Sequence, residues 1–339
     1  LFINNLLYLP PNLVIKMKKL LYISLLAPLA AMAQQPKDSI TQLEEVVVKA
    51  EAPIKRIQKA AYNVVAIEAK QLRTLNSNAA DMLARVSGVK MRETGGVGAE
   101  AHINLNGFTG RHVRVFIDGV PMNEANASFR INNIPSELIE RIEIYKGVVP
   151  VTFGADALGG AINVITRKSR YNYGNLSYTF GSFNTHKSTL RIGQRLTNNI
   201  SLELNAYQNY SDNNYKVFTK YLDVHTGVFS KEPRWFTRFH DRYHNEALIG
   251  RLNIFNEKWA DKLSFGLNYN QEYKQIQNAN LMQIVFGGKY RTSHTYSSSM
   301  EYEKKNIIRG LSFALTGRYD LTTTRNADEE PRQYAWDGT

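Results

Sequence analysis

Two groups of residues in this chain have the types and spacing with which proteins bind metals or phosphates. His240 and His244 are four residues apart, and Gly95, Gly96 and Gly98 form a short glycine-rich segment. In a strand, a spacing of four separates two side chains by more than about 12 Å, which is too far for one shared metal ion. A phosphate cradle needs a helix N-terminus after its glycines, and none is predicted here, so a mobile loop is the better interpretation.

The composition removes several classes of enzyme. The chain has 339 residues and no cysteine, which excludes disulfides, thiolate metal sites and a thiol nucleophile. The sequence contains no paired carboxylate site or nucleophile motif, and we predict a protein that is not an enzyme and uses no cofactor. The net charge of +12 favours an anionic partner, but charge alone does not choose among nucleic acid, a membrane surface and an anionic ligand.

Residues 17–33 have the pattern of a cleaved secretory signal peptide. Two lysines follow Met17, an apolar run of about a dozen residues comes next, and small residues precede a cleavage site before Gln34. The run is shorter than the roughly 20 residues of a transmembrane helix, and the alternative is a buried core helix. Residues 1–16 precede the expected initiator methionine, and we interpret them as leader sequence outside the fold.

From Tyr173 onward, segments of about ten residues alternate in polarity, as strands that cross a bilayer do. Leu202 and Leu204 lie on one face of such a segment and Glu203 lies on the other, and the same period recurs in residues 263–269 and 311–315. We predict about seven antiparallel strands, near residues 173–181, 186–196, 199–210, 243–255, 261–273, 290–303 and 309–320.

The lengths of the connections favour a membrane β-barrel over a soluble β-sandwich, which shares the two-residue period. Outer-membrane barrels alternate short periplasmic turns with longer extracellular loops. Short connections are predicted at residues 196–199, 256–260 and 304–308, and long ones at 211–242, at 274–289 and after 321. Seven strands are too few for a barrel that holds a folded domain, which needs about 22 strands, so we expect this chain to be the N-terminal part of a longer protein.

The first half of the chain has the pattern of a small α+β domain. Asn78 is a predicted cap for a short helix whose apolar stripe includes Met82, Leu83 and Val86, and Gly88 ends it. Asp118 and Gly119 favour a tight hairpin turn. Strands are predicted at residues 89–92, 102–106, 113–117, 141–145 and 162–166.

In order along this half, the segments LEEVVVKA, RVSGV, NGF, VFIDGVPM and NNIPSELIERIEIYKGVVPVTFGADALGGAINVITRK resemble the TonB box and plug domain of TonB-dependent outer-membrane receptors. The resemblance spans about 120 residues, and the order, the spacing and the junction to strands all agree. It implies a membrane β-barrel of about 22 strands with an α+β plug domain in the lumen. The implied organisation is an N-terminal segment at 34–50, a plug at 51–168 and the barrel at 169–339.

The resemblance also implies a function and a location. Receptors of this family import a scarce solute across the outer membrane, and the energy comes from the inner-membrane proton gradient. A ferric siderophore or other iron chelate is favoured over cobalamin, haem or a glycan, and outer-membrane lipid, but no nucleic acid, is an expected partner. The alternatives from other classes are a passive porin or adhesin barrel and a secreted polysaccharide-binding protein.

A β-branched run lies about ten residues after the predicted cleavage site, and its position matches the TonB box. A short strand without a neighbour is suited to strand addition at the edge of another protein, and the resemblance implies that this protein is the TonB energy-coupling protein. The alternative is an ordinary first strand of the plug. The residues of the box are Glu44, Glu45, Val46, Val47, Val48, Lys49 and Ala50.

Ligand contacts in the family come from plug loops that face the outside, which here match residues 93–102 and 122–130. The candidate ligand-binding residues are Glu93, Thr94, Glu100, His102, Met122, Asn123, Asn126, Phe129 and Arg130. The long connection 211–242 combines aromatic residues with lysines and arginines, which suits an aromatic, anionic chelate or packing between loops. The plug arginines are expected to pair with carboxylates of the lumen rather than to bind ligand; they are Arg111, Arg114, Arg130 and Arg141.

Overall fold

The computed structural model describes residues 63–70, 77–122, 130–150, 153–154, 157–167, 172–223, 226–278, 284–332 and 334–339. They form an α+β domain in the first half and an antiparallel wall of long strands in the second half. The predicted signal peptide, the predicted leader and the predicted TonB box lie outside the described residues. No helix among the described residues is long and apolar enough to cross a bilayer.

The single α-helix of the described residues, α1 (Ala79–Leu83), begins where the sequence predicts. The amide of Asp81 donates to Oδ1 of Asn78 over 3.0 Å, and the amide of Asn78 donates back to Oδ2 of Asp81 over 2.9 Å. This reciprocal capping satisfies amides that the first turn leaves without partners. Met82 and Leu83 are fully buried, and they fix the helix against the sheet of this domain.

Two sheets build this domain, whose strands are β1 (Val64–Glu68), β2 (Val89–Glu93), β3 (Ala101–Leu105), β4 (Phe108–Thr109), β5 (Val113–Ile117), β6 (Val120–Pro121), β7 (Ile139–Lys146) and β8 (Gly160–Thr166). The larger sheet has the order β1-β7-β8-β5-β6, with β5 parallel to β8. The smaller sheet has the order β2-β3-β4. Two 3-10 turns, Ile131–Asn133 and Ser136–Leu138, precede β7.

The core of the domain lies between helix α1 and the larger sheet, as the apolar residues of the central strands require. Ile142, Ile144, Ile162 and Val164 are fully buried in it. The strand predicted at 113–117 is confirmed to the residue. The predicted turn is confirmed as well, since Asp118 (φ +51°) and Gly119 (φ +82°) have the positive dihedrals of a two-residue hairpin between β5 and β6.

All seven predicted strands of the second half are present: β9 (Tyr173–Gly181), β10 (Thr185–Arg195), β11 (Ile200–Ser211), β14 (Tyr243–Phe255), β15 (Lys262–Gln275), β16 (Tyr290–Ile308) and β17 (Leu311–Ala327). They form one antiparallel sheet in the order β17-β16-β15-β14-β11-β10-β9. Each of these seven strands pairs with the next of the seven along the chain, which is the up-and-down connectivity of a barrel wall.

The two faces of this wall differ in the way the sequence predicts. Leu202 and Leu204 are 45% and 37% exposed, while Glu203 between them is 5% exposed and faces the first domain. Phe265 and Leu267 are likewise exposed, and Ser264 is buried. An exposed apolar face opposite a polar face that packs on protein is the pattern of strands with lipid outside and a lumen inside.

One predicted connection is wrong. Residues 304–308 are not a turn but the end of β16, which continues through a bulge to Ile308, and the chain turns at 309–310. Polar residues at a strand end fit strand and loop equally well, so periodicity does not mark the boundary. The long connection predicted at 211–242 is present, and β12 (Lys216–Thr219) and β13 (Arg234–Thr237) pair as a hairpin inside it.

Candidate functional site

Four of the predicted ligand-binding residues lie together at the free end of the β2–β3 hairpin. Glu93 is the last residue of β2 and pairs with Ala101, and Arg92 pairs with His102. Thr94 and Glu100 are both exposed in the connection between the strands. His102 lies 4.0 Å from Glu100 with both side chains more than half exposed. Residues 94–100 are called the apical loop below.

The other predicted ligand-binding residues are divided. Arg130 belongs to the same site, because its Nη1 donates to the carbonyl of Gly98 over 3.3 Å. Met122 does not, since it is buried and its amide donates to the carbonyl of Val115 inside the first domain. Asn123, Asn126 and Phe129 lie outside the described residues.

The apical loop, which the sequence predicts to be mobile, is fastened by Asn213, which lies just after the end of β11. The amide of Val97 donates to Oδ1 of Asn213 over 3.0 Å, and Nδ2 of Asn213 donates back to the carbonyl of Val97 over 2.9 Å. The same Nδ2 also donates to the carbonyl of Asp241 over 3.0 Å. A single side chain therefore pairs with both backbone groups of Val97, as a neighbouring strand would.

Gly98 allows the apical loop to approach the wall closely. Its φ is +75°, and a Cβ at this position would lie inside the ring of Tyr243. The carbonyl of Gly98 accepts a hydrogen bond from Nζ of Lys274 over 2.9 Å, in addition to the bond from Arg130. Only glycine meets both requirements, a left-handed backbone and contact with an aromatic ring.

Beneath Gly98, Tyr243 joins the first domain to the wall through a buried network. Nδ2 of Asn133 donates to the Tyr243 hydroxyl over 2.7 Å, and that hydroxyl donates to Oε2 of Glu272 over 3.0 Å. Arg291 then pairs with Oε1 of Glu272 over 3.0 Å. Tyr243 and the side chain of Glu272 are fully buried, and the glutamate charge is balanced by an arginine.

Two carboxyls near the apical loop are perturbed by burial. Burial raises the pKa of Asp241 to about 6, although Nε of Arg238 lies 3.0 Å from its Oδ2. Burial also raises the pKa of Glu93, and the charge of Asp81 adds to this effect. Both groups are therefore easier to protonate than ordinary carboxyls.

A second fastening point lies deeper in the wall. Nη1 of Arg251 donates to Oδ2 of Asp118 over 2.6 Å, and both side chains are almost wholly buried. Nη1 of Arg318 donates to the carbonyl of Pro121 over 3.1 Å, three residues further on. The β5–β6 hairpin is thus held by two arginines of the wall. The sequence predicts that arginines of the plug pair with carboxylates of the lumen, whereas here the arginine belongs to the wall and the carboxylate to the plug. Arg141, one of those plug arginines, pairs with Glu140 and Glu143 of its own domain.

The long connections between the wall strands form a small aromatic cluster of their own. Phe236, Val285 and Trp336 are buried together, and they come from the connections after β11, β15 and β17. The guanidinium of Arg234 lies 4.2 Å above the ring of Tyr221. On the other face of the hairpin, Phe218 and Trp235 are 57% and 65% exposed with ring centroids 5.2 Å apart. The segment therefore contains residues suited to both predicted roles, which are packing between loops and an aromatic surface for a ligand.

The side chains of His240 and His244 do not point to a common site. His240 Nε2 contacts the carbonyl of Lys289, while His244 points to the outer face, where its ring packs on Tyr210. Among the described residues, no group of three or more histidine, aspartate or glutamate side chains is arranged to hold a metal ion.

Sequence reasoning missed the wall residues that hold the apical loop, namely Asn213, Tyr243, Glu272, Lys274 and Arg291. The pairing register of their strands is the signal that could have identified them. Tyr243, Lys274 and Arg291 occupy one level of adjacent strands and alternate with outward residues, so an inward position follows once strand pairing is known.

An α+β domain fastened to the polar face of an antiparallel wall, with an apolar face outside, defines a plugged outer-membrane β-barrel. Residues 56–161 match the family described as TonB-dependent Receptor Plug Domain. The first domain is therefore a plug domain of this kind, and the described strands form part of a barrel with the fold of TonB-dependent receptors. This family consists of outer-membrane receptors and transporters rather than enzymes.

Similar proteins of known identity agree with this assignment. The chain is 38% identical over 96 residues to the vitamin B12 transporter BtuB of Vibrio vulnificus, a match that covers 28% of the chain and 16% of the relative. The ferric enterobactin receptor PfeA of Pseudomonas aeruginosa aligns with a TM-score of 0.53 and 18% identity, over 80% of this chain and 42% of that one.

The closed form of the ferric-catecholate import receptor Fiu of E. coli aligns with a TM-score of 0.56 and 16% identity, over 79% of this chain and 38% of that one. At these identities the structural matches show the fold alone. The chain spans about two fifths of the length of the PfeA and Fiu receptors.

Proposed function

We propose that the complete protein imports a scarce solute across the outer membrane and that the inner-membrane proton gradient drives the import. The observation that carries this proposal is the double fastening of the plug to the wall, at Val97 and Gly98 and again at Asp118. Moving a plug that is held by buried hydrogen bonds and an ion pair costs free energy, so passage of a solute requires work.

The work is delivered through the predicted TonB box, Glu44 to Ala50. The outer membrane has no nucleotide energy source, and the β-branched run at Val46 to Val48 is suited to pair with the edge of the TonB energy-coupling protein in the periplasm. Pulling on this segment would strain the plug against its two fastening points.

The ligand we favour is a ferric siderophore or another iron chelate. Aromatic rings and cations occur together in the extracellular connections, as with Arg234 above Tyr221 and Arg238 above Tyr215, and this chemistry suits aromatic, anionic ligands. Cobalamin is the second candidate, because the curated relative with 38% identity is a vitamin B12 transporter. That match covers 28% of the chain, while ligand contacts in such receptors also involve the barrel loops.

Uptake and binding by the full-length protein test the energy coupling. Deletion of residues 44–50 should abolish uptake of radiolabelled ferric chelate or cobalamin by cells and leave binding at 0 °C intact. Deletion of residues 35–41, which has the same length, should affect neither measurement. Unchanged uptake after deletion of the box would identify a passive barrel, and wild-type cells that take up neither ligand would contradict both ligand assignments.

A further inference from the structure

The three short turns of the wall share one pattern, in which a cation stands next to a large apolar residue. The pairs are Arg195 with Leu196 after β10, Lys258 with Trp259 after β14, and Arg309 with Ile308 after β16. The apolar members are 52%, 51% and 66% exposed, in that order, and the three cations are exposed as well. We call these turns with their flanking residues, 195–199, 256–262 and 301–310, the short-turn rim.

The three cations of this pattern have no carboxylate partner among the described residues. Arg195 donates from Nε and Nη2 to the carbonyls of Thr197 and Asn198, over 3.1 and 2.8 Å, and both acceptors are neutral. The ion pairs of the rim are formed by other lysines, namely Lys262 with Glu301, Lys304 with Asp261 and Lys305 with Glu303. Arg195, Lys258 and Arg309 therefore carry charge that the described chain does not balance.

The rim as a whole is positive. Its charged side chains are six cations and four carboxylates, which gives a net charge of +2. Three of the carboxylates are used by the lysine pairs. The fourth, Glu257, accepts from Nδ2 of Asn199 over 2.9 Å and holds two of the short turns together. The rim is thus suited to a partner with net negative charge.

The apolar members of the pattern extend the exposed apolar face of the wall to its edge. β16 continues past its last pair with β15, at Glu303, as far as Ile308. In a tilted barrel each turn must lie further along its strand than the turn before it, so that all the turns reach one depth. Ile308 lies opposite Leu311, and both are exposed together with Phe313 two residues further along β17.

A cation beside an exposed apolar side chain, at the edge of an apolar wall, matches the boundary between acyl chains and lipid headgroups. The apolar side chain and the stem of a lysine or arginine lie among the acyl chains, while the charged end reaches the headgroups. The indole of Trp259 is the ring that favours this boundary most. Short turns of outer-membrane barrels face the periplasm, so the headgroups within reach are those of the periplasmic leaflet.

We propose that the short-turn rim binds anionic phospholipids of the periplasmic leaflet, whose headgroup phosphates lie on Arg195, Lys258 and Arg309. A phosphate oxygen there supplies the charge-assisted hydrogen bonds that these cations lack within the described chain. The inference goes beyond transport, because it concerns the lipid around the barrel, and it holds whichever solute the protein carries.

Trp259 is a local probe for this lipid, because it adjoins Lys258. The full-length protein is folded into vesicles of phosphatidylcholine and phosphatidylglycerol, in which one lipid or the other has brominated acyl chains that quench tryptophan fluorescence on contact. Each protein is measured with and without Trp259→Phe, and the difference is the signal of Trp259. Phosphatidylglycerol should be enriched about fivefold at Trp259, and Lys258→Gln should remove most of this enrichment, because one cation near an anionic membrane surface contributes about this factor.

Control variants separate the charge of Lys258 from other effects. Lys258→Arg keeps the charge and should keep the enrichment. Lys90→Gln removes the same charge from an exposed position of the plug and should leave the quenching by both lipids unchanged. Added salt should lower the enrichment in the wild type and have less effect in Lys258→Gln. Altered migration of heated and unheated samples in a gel shows that each variant folds as a barrel.

Three results would contradict the proposal, and none of them bears on uptake. Equal quenching by the two brominated lipids in the wild type would mean that the rim does not select anionic headgroups. Enrichment that survives in Lys258→Gln would mean that the preference comes from another part of the protein. Fluorescence of Trp259 that neither lipid quenches would place this turn outside the leaflet, in contact with water or with a periplasmic protein.

Discussion

Arg251 of the barrel wall donates from Nη1 to Oδ2 of Asp118, in the hairpin turn of the plug, over 2.6 Å. The same carboxylate accepts from the amide of Thr166 over 3.0 Å and from its hydroxyl over 2.6 Å. Glu203 lies opposite Arg251 on the neighbouring strand. The turn that closes one edge of the plug sheet is therefore also the point where the plug is ion-paired to the wall.

Asp118→Asn should weaken this attachment by about 3 kcal/mol, because it leaves a buried arginine without its closest counter-ion. Asparagine tolerates the positive φ of the position, so the turn itself should survive. The measurement is the urea concentration at which a protease cleaves the plug in the full-length protein, which should fall.

The matched control is Arg325→Gln, which breaks an ion pair with Glu329 at the surface. Both of these side chains are well exposed, and the loss should be below about 1 kcal/mol. Equal urea midpoints for Asp118→Asn and the wild type would mean that the pair does not hold the plug.

Much of this architecture follows from local sequence. The cap at Asn78, the turn at Asp118 and the alternation around Glu203 each depend on a few neighbouring residues, and each is confirmed. The apical site depends on residues more than 100 positions apart, such as Val97 with Asn213 and Asn133 with Tyr243. Such contacts are set by how the plug sits on the wall, and one sequence has no local signal for that.

Gly98→Ala should release the apical loop, because the new methyl group collides with the Tyr243 ring and the residue must keep a positive φ. Hydrogen exchange of the Val97 amide, which donates to Asn213, should accelerate by at least about tenfold. Gly107→Ala is the control for backbone strain alone, since Gly107 has φ +95° and no atom near the added methyl group. If both variants leave Val97 equally protected, the ring contact is unimportant.

Asp241 should make stability depend on pH. Burial raises its pKa from the ordinary 3.8 to about 6, so the folded protein binds this proton more tightly than the unfolded chain does. Its charged form therefore costs stability above pH 6, and the cost disappears as the pH falls from about 6 towards 4. The thermal midpoint of the wild type should rise relative to Asp241→Asn between pH 7 and pH 5.

Asp337→Asn is the control for this titration. Hydrogen bonds from Thr339 hold the pKa of Asp337 below its ordinary value of 3.8, so that group stabilises the fold at higher pH and stops doing so only below about pH 4. The difference between the wild type and Asp337→Asn should be flat from pH 7 to pH 5. A flat difference for Asp241→Asn as well would show that the Asp241 carboxyl titrates normally.

The membrane assignment can be tested without any ligand. Leu267, near the middle of β15, and Leu158, in the plug, are 70% and 69% exposed. If the exposed face of the wall contacts lipid, Leu267→Lys should cost about 2 to 4 kcal/mol of barrel stability, because a lysine near the bilayer midplane loses its hydration. Leu158→Lys should cost less than about 0.5 kcal/mol, because a lysine in water keeps it. The readout is the urea midpoint of folding into lipid vesicles, and equal small losses at the two positions would mean that this face of the wall contacts water rather than lipid.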